Sequence, residues 1–208
     1  ALYPKFIVIA DKFSKFSLVE LHVSEFSKGV VDSWQNTNFE MVISEGSQCD
    51  LIRLQDESLV ATHVGINRIY LDKNSRLETL SVSAGSKLGR NELSIHLIGE
   101  GAEAQVNGMT ISGGSQHLDN KTLIDHSVGQ CTTSQLYKSV LGGHSKSIFT
   151  GRVHITKNAQ KASSEQLNQN LLLSTTAEAN SKPELGIFAD DVKASHGSTI
   201  GQISGEEI

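Results

Sequence analysis

The chain has 208 residues, with 23 acidic and 18 basic side chains, giving a formal net charge of −5 and enough length for one large domain. Its Lys and Arg are nowhere clustered, which excludes a phosphate-binding surface for nucleic acid, and no stretch approaches the roughly 20 apolar residues of a membrane helix. A hydrophobic content of 38% excludes disorder, while 5% aromatic residues and two prolines favour a core of small and β-branched side chains.

In chain order, the opening "ALYPKFIVIADK" lacks the basic region, apolar stretch and cleavage site of a secretion signal. One element then recurs: apolar residues, a polar step often holding an acid, Gly or Asn, a small residue, and a further apolar run. It is seen in "VIADKFSKFSLV", "VISEGSQCDLI", "IYLDKNSRLETL", "HLIGEGAEAQV", "HSVGQCTTSQL" and, more weakly, "ITKNAQKASS". The small residues are Ser14, Ser47, Ser75, Ala102, Cys131 and Ala159, and from Ser47 onward their intervals are 28, 27, 29 and 28. Such a period marks one structural unit used repeatedly.

Within each unit the apolar residues alternate, as in "RLETLSVS", "ELSIHLIG", "RVHITK" and "ELGIFAD", which is the period of strands. Only "SEQLNQNLLLS" tempts a helical reading, and it serves equally as a strand entry. The expected fold is all-β, one parallel β-helix over residues 1–208 with coils of about 28 residues. Six coils about 4.8 Å apart would make a rod about 30 Å long. A β-sandwich also has short strands and frequent turns, but gives no reason for the repeat.

The richest polar cluster is "QHLDNKTLIDHS", with His117, Asp119, Asn120, Asp125 and His126. On a strand His117 and Asp119 share a face and could contribute to a metal site. The competing reading makes Asp and Asn a turn and satisfies the histidines on backbone carbonyls. Cys131 reads as a buried structural thiol, and Cys49 as a turn residue with only Arg53 nearby to activate it. Two cysteines far apart and without a C-x-x-C pattern suit a reducing compartment, with a disulfide between them left open. "KSVLGGHSKSIFTG" lacks the phosphate-loop pattern and a following helix, so ATP binding is not expected. Asp119, Asp190 and Asp191 could act as the paired carboxylates of a β-helix carbohydrate-active enzyme, a lyase or esterase, although Trp34 is the only tryptophan to serve as a sugar platform. In "FADDVKASHGSTIG", Asp190 and Asp191 read as a turn, and His196 either caps the last coil or acts as a ligand.

From about Gly89 to Gly201, "HLDNKTLIDH", "NQNLLLS" and "KPELGIFADDVKASHG" closely resemble the SufB/SufD family of iron–sulfur cluster assembly scaffolds, and within it the SufD branch. The residues before Gly89 fit by pattern alone. The resemblance implies a right-handed parallel β-helix and a non-catalytic scaffold subunit that pairs with a SufB-like protein. It also implies a SufC-like ABC ATPase docked on a helical region, with flanking helical regions outside this chain. The family's interface histidine, proposed as a cluster or metal ligand, matches His196, while a cysteine of the SufB branch that handles sulfur falls near Asn168. Many SufD-type sequences have a cysteine where this chain has Ala194, and SufB has a glutamate at Gly197. His196 is therefore the one recognisable ligand on its strand, and further ligands must come from a partner. The resemblance implies no stably bound cofactor, only a transient iron–sulfur cluster or iron at the partner interface, in bacterial cytoplasm or plastid stroma. A purely structural homodimeric β-helix is the remaining rival.

Overall fold

The computed structural model describes residues 1–24 and 32–203. The odd-numbered strands are β1 (Lys5–Ala10), β3 (Trp34–Ile43), β5 (Thr62–Leu71), β7 (Leu88–Leu97), β9 (His117–His126), β11 (Lys146–Ile155) and β13 (Glu178–Ile187). The even-numbered strands are β2 (Lys15–Val23), β4 (Gln48–Asp56), β6 (Arg76–Ser83), β8 (Glu103–Ser112), β10 (Thr132–Leu141), β12 (Ser163–Leu172) and β14 (Lys193–Gln202). Each set forms one seven-stranded parallel sheet in chain order, and no helix occurs among the described residues. The chain passes from one sheet to the other and back, so two strands complete one coil of a parallel β-helix, as the repeat predicted.

The coils number seven, not the expected six. The last coil, β13 and β14, carries Val192 at the corner position where earlier coils carry a small residue, so the repeat signature did not announce it. A second correction concerns Ala159. The ladder pairs Thr132 with Ser163, so Ala162, not Ala159, follows Cys131 in register. Ala159 still closes the turn through its N–H to Thr156 O at 3.0 Å, as Ser47 does to Ser44 O at 3.1 Å, but three further residues intervene before β12.

The repeat's polar-then-small signature has a backbone cause. Phe13, Gly46, Asn74, Gly101, Gln130 and Lys161, each one place before the inward corner residue, all have positive φ. Gly and Asn adopt that conformation at least cost, which is why they mark the corner in several coils. The turns also bond to one another, with Phe13 N–H to Glu45 O at 3.0 Å, Gly46 N–H to Lys73 O at 2.9 Å and Asn74 N–H to Glu100 O at 3.0 Å.

Inside, polarity is divided along the coil. The ends of the odd strands and the starts of the even strands meet at this corner and bury Met41, Ile43, Leu51, Ile69, Leu71, Leu77, Ile95 and Leu97. Each such side chain contributes about 1.5–3 kcal/mol on burial. The opposite half is polar and bonded to itself: Asn67 donates to Asn91 Oδ1 at 2.7 Å, Asn120 to Thr110 Oγ1 at 3.1 Å, and Asn170 to Asn168 Oδ1 at 2.7 Å. Buried amides paired in this way avoid the penalty of an unmet donor or acceptor.

Candidate functional site

Three inward-facing columns of the even sheet organise the polar chemistry. Register places Leu51, Thr79, Val106, Gln135, Gln166 and His196 in one column. Glu20, Arg53, Ser81, Gly108, Tyr137, Asn168 and Ser198 form the next, and His22, Gln55, Ser83, Thr110, Ser139, Asn170 and Ile200 the third. His196 thus holds an inward position, but on the last strand of the sheet, where no further described rung covers it, and it is exposed. Behind it Gln166 is buried. Its Nε2 donates to Gln135 Oε1 at 2.6 Å, and Gln135 Nε2 donates to Thr122 Oγ1 at 2.7 Å.

At the other end of the stack the middle column is charged, a feature missed at the sequence level. Arg53 is buried, with Nε 2.8 Å from Glu20 Oε2 and its guanidinium 4.4 Å from the centre of the Phe39 ring. His22 Nε2 lies 3.0 Å from Glu20 Oε1, and its ring meets that of His63 edge-on at 4.8 Å. His63 Nδ1 is 2.9 Å from Glu57 Oε2, and that oxygen accepts from Gln55 Nε2 at 3.0 Å. Burial pushes the Glu20 and Glu57 carboxyls up. For Glu20, His22 and Arg53 outweigh it, and for Glu57 His63 and Gln55 do, so both are held below the usual range. Burial lowers the Arg53 pKa against the opposing pull of Glu20. The cluster borders a cavity of about 30 Å³, whose walls include Thr37, Asn67 and Asn91. The only sequence signal was parity, since Arg53 falls on the same face as Leu51 within "DLIRLQD".

The polar cluster around His117 is a strand, β9, so the expected turn at Asp119 and Asn120 does not form. His117 and Asp119 do share the outer face, but Asp119 pairs with Arg90 at 3.0 Å. Asp125 faces outward between two neighbouring strands, accepting from His154 Nδ1 at 2.7 Å, His96 Nδ1 at 3.3 Å and Ser127 Oγ at 3.1 Å. Burial raises this carboxyl, and the bonds from His154, His96 and Ser127 together bring it below its ordinary range. Tyr70 stacks on His96 with centres 5.0 Å apart, and Phe188 meets His154 edge-on at 5.5 Å. Neither sequence reading of the cluster anticipated this outer ladder, in which the bonded groups His96, Asp125 and His154 lie on β7, β9 and β11.

Cys49 is inward-facing on β4, not in a turn, and burial raises its thiol to about 11. Cys131 is buried as expected, its Sγ directed to Gly99 O and Gly129 O at 3.5 and 3.4 Å, and both cysteines are free thiols. Asp190 and Asp191 do lie in a turn, between β13 and β14, where Asp191 N–H donates to Gln160 Oε1 at 2.9 Å and Asp191 O accepts from Lys161 N–H at 2.6 Å. The structure therefore does not gather Asp119 with Asp190 and Asp191. Among the described residues no three His, Cys, Asp or Glu side chains are grouped to hold a metal ion. A cluster or ion at His196 would find one imidazole here, so the donors among the described residues do not complete a ligand set.

The model of the SUF system FeS cluster assembly SufBD core domain matches residues 1–208. The chain belongs to the SufBD core family. The match runs through the residues before Gly89, where the motif resemblance had been one of pattern alone. The SufBD family protein slr0076 of Synechocystis is 31% identical over 211 residues, covering 99% of this chain and 46% of that protein. SufD of Escherichia coli is 29% identical over 170 residues, covering 82% of this chain and 40% of the relative. The chloroplastic protein ABCI7 of Arabidopsis thaliana is 29% identical over 208 residues, covering 99% and 43%. The chain spans less than half the length of these SufBD relatives.

Proposed function

We propose that residues 1–208 are the β-helix core of a SufD-type subunit in SUF-type iron–sulfur cluster assembly. In this reading the subunit is a non-catalytic scaffold. It pairs through its last coil with a SufB-like protein and works with a SufC-like ATPase held by a helical region outside these residues. Its relatives are bacterial and chloroplastic, which supports a bacterial cytoplasmic or plastid setting.

The observation that carries the reading is the placement of His196. On β12 the inward residues Gln166, Asn168 and Asn170 are enclosed by the rungs beside them, whereas on β14, the last strand of the sheet, the inward positions His196, Ser198 and Ile200 are exposed, and His196 is the one among them whose side chain can serve as a metal ligand. A neutral imidazole there can offer one nitrogen to iron or to a nascent cluster, which is the cargo of the machinery, while a partner supplies thiolate or carboxylate ligands.

The test is His196→Ala in the full-length subunit, assembled with a SufB-like scaffold and a SufC-like ATPase. Cluster yield on anaerobic reconstitution should fall about tenfold or more. Complex formation and ATP hydrolysis should stay near the unsubstituted level. A normal cluster yield removes His196 from the site, and a matching loss of complex and thermal stability makes its role structural.

A further inference from the structure

We infer that Gln166 is a positioning residue for His196: its side-chain carbonyl, to which the ring is not bonded in the described conformation, is the acceptor onto which His196 turns one ring N–H, and this decides which ring nitrogen is presented outward. The inference deepens the proposed function and rests on His196 being a ligand. It comes from an amide left incomplete. Gln166 is 3% exposed, and its Oε1 is buried with no hydrogen-bond donor among the described residues. Its Nε2 is already committed to Gln135 Oε1 at 2.6 Å, and Gln135 Nε2 to Thr122 Oγ1 at 2.7 Å. The two amides point the same way, Gln166 to Gln135 along the column and Gln135 across the lumen to Thr122 on β9, which leaves the Gln166 carbonyl as the free end.

The next member of that column is His196, the register partner of Gln166 on β14. Adjacent strands lie about 4.8 Å apart, within reach of a ring N–H turned inward. The Gln166 amide cannot retreat into the lumen. Gly151 on β11 lies against it, so closely that an added Cβ there would collide with Nε2, and Phe149 closes the same side. Burying an acceptor without a donor costs about 1–3 kcal/mol, so an imidazole N–H that meets it is favoured over one left in solvent. With one ring nitrogen held as N–H, the other carries the lone pair that a ligand needs. Carboxylates and carbonyls play this orienting part behind many metal-binding histidines.

The experiment is long-range ¹H–¹⁵N correlation NMR of the His196 ring at a pH where the imidazole is neutral, on the unsubstituted chain and on Gln166→Met. One tautomer should dominate in the unsubstituted chain, and Gln166→Met should give a mixture. Gln166→Glu, which restores an acceptor, should return the single tautomer. The methionine variant leaves Gln135 Oε1 without its donor, so Gln135→Met/Gln166→Met serves in its place should the single variant fold poorly. An unchanged tautomer ratio in folded Gln166→Met, or in the double variant, overturns the inference. Because the readout needs no cluster, it separates from the functional reading. A normal cluster yield in His196→Ala would sink that reading while leaving the tautomer result standing.

Discussion

Replacing His126 with leucine should remove most of the chain's loss of stability between neutral pH and pH 5. His126 ends β9 on its inward face and is fully buried. Its Nε2 lies 3.0 Å from Thr133 Oγ1, whose own O–H is directed to Ser164 Oγ at 2.9 Å, so the ring donates through Nε2. Nδ1 is buried without a partner among the described residues. Burial drives the imidazole down from 6.5 to about 4, with Asp125 opposing. The unfolded chain takes up a proton below about 6.5 that the folded chain refuses until about 4, so stability is intact above that window and falls through it. The full loss is about 3 kcal/mol, of which about 2 kcal/mol is gone by pH 5. Glu20, Glu57 and Asp125 have lowered pKa values, so their contribution is present above the ordinary carboxylate range and is lost only below it, outside this window. Urea denaturation followed by far-UV circular dichroism at pH 7, 6 and 5 gives the comparison. The unsubstituted chain should lose about 2 kcal/mol more than His126→Leu from pH 7 to 5. Parallel losses would refute a buried neutral imidazole.

Arg53→Met should cost about 3 kcal/mol because it removes the partner of Glu20 Oε2 and leaves the carboxylate only His22, on Oε1. Adding Glu20→Gln should restore much of that loss, and a double variant no more stable than the single one would argue against the pairing, both read by thermal denaturation. Cys49 and Cys131 should resist a thiol reagent at pH 7.5 in the native state and react at once in denaturant, since burial keeps both thiols protonated. Rapid native labelling of either would contradict their enclosure.

The fold was legible wherever a local signal coincided with a repeated one. Period-2 alternation in "RLETLSVS" and "RVHITK" corresponds to β6 and β11, and the small residue after a Gly or Asn marks the corner at Ser47, Ser75 and Ala102. It was not legible where a coil departs from its neighbours. Val192 replaces the small residue, and the three residues after Ala159 lengthen a corner without disturbing the ladder. "HLDNKTLIDH" misled because Asp and Asn favour turns locally, whereas strands on both sides hold β9 extended. Glu20 and Arg53, or His96, Asp125 and His154, become partners only once the register is known, because each pair is separated by a whole coil. His196 was found by motif; its inward position and the amide ladder behind it required the structure.

Coil length varies while the ladder does not, and this constrains where chemistry can reside. Along the even sheet, register partners are separated by 33, 28, 27, 29, 31 and 30 residues, yet inward positions stay aligned from strand to strand. A one-residue change within a strand would turn every following side chain to the other face, so variation is confined to the corners. Inward side chains are therefore held in strict columns, and amides suit such columns because each can donate to one neighbour and accept from another. Asn168 shows what this does to a site. Near the position where the motif resemblance puts a cysteine of the SufB branch, its Nδ2 donates to Tyr137 O at 3.2 Å and its Oδ1 accepts from Asn170, whose Nδ2 also reaches Thr199 O at 3.2 Å. Those bonds tie β10, β12 and β14 together. A cysteine there could donate only one weak S–H bond and would loosen the attachment of the strand that carries His196. In this chain the position serves to hold the last rung in register, and the ligand that the proposed function offers to a partner lies one column away, at His196.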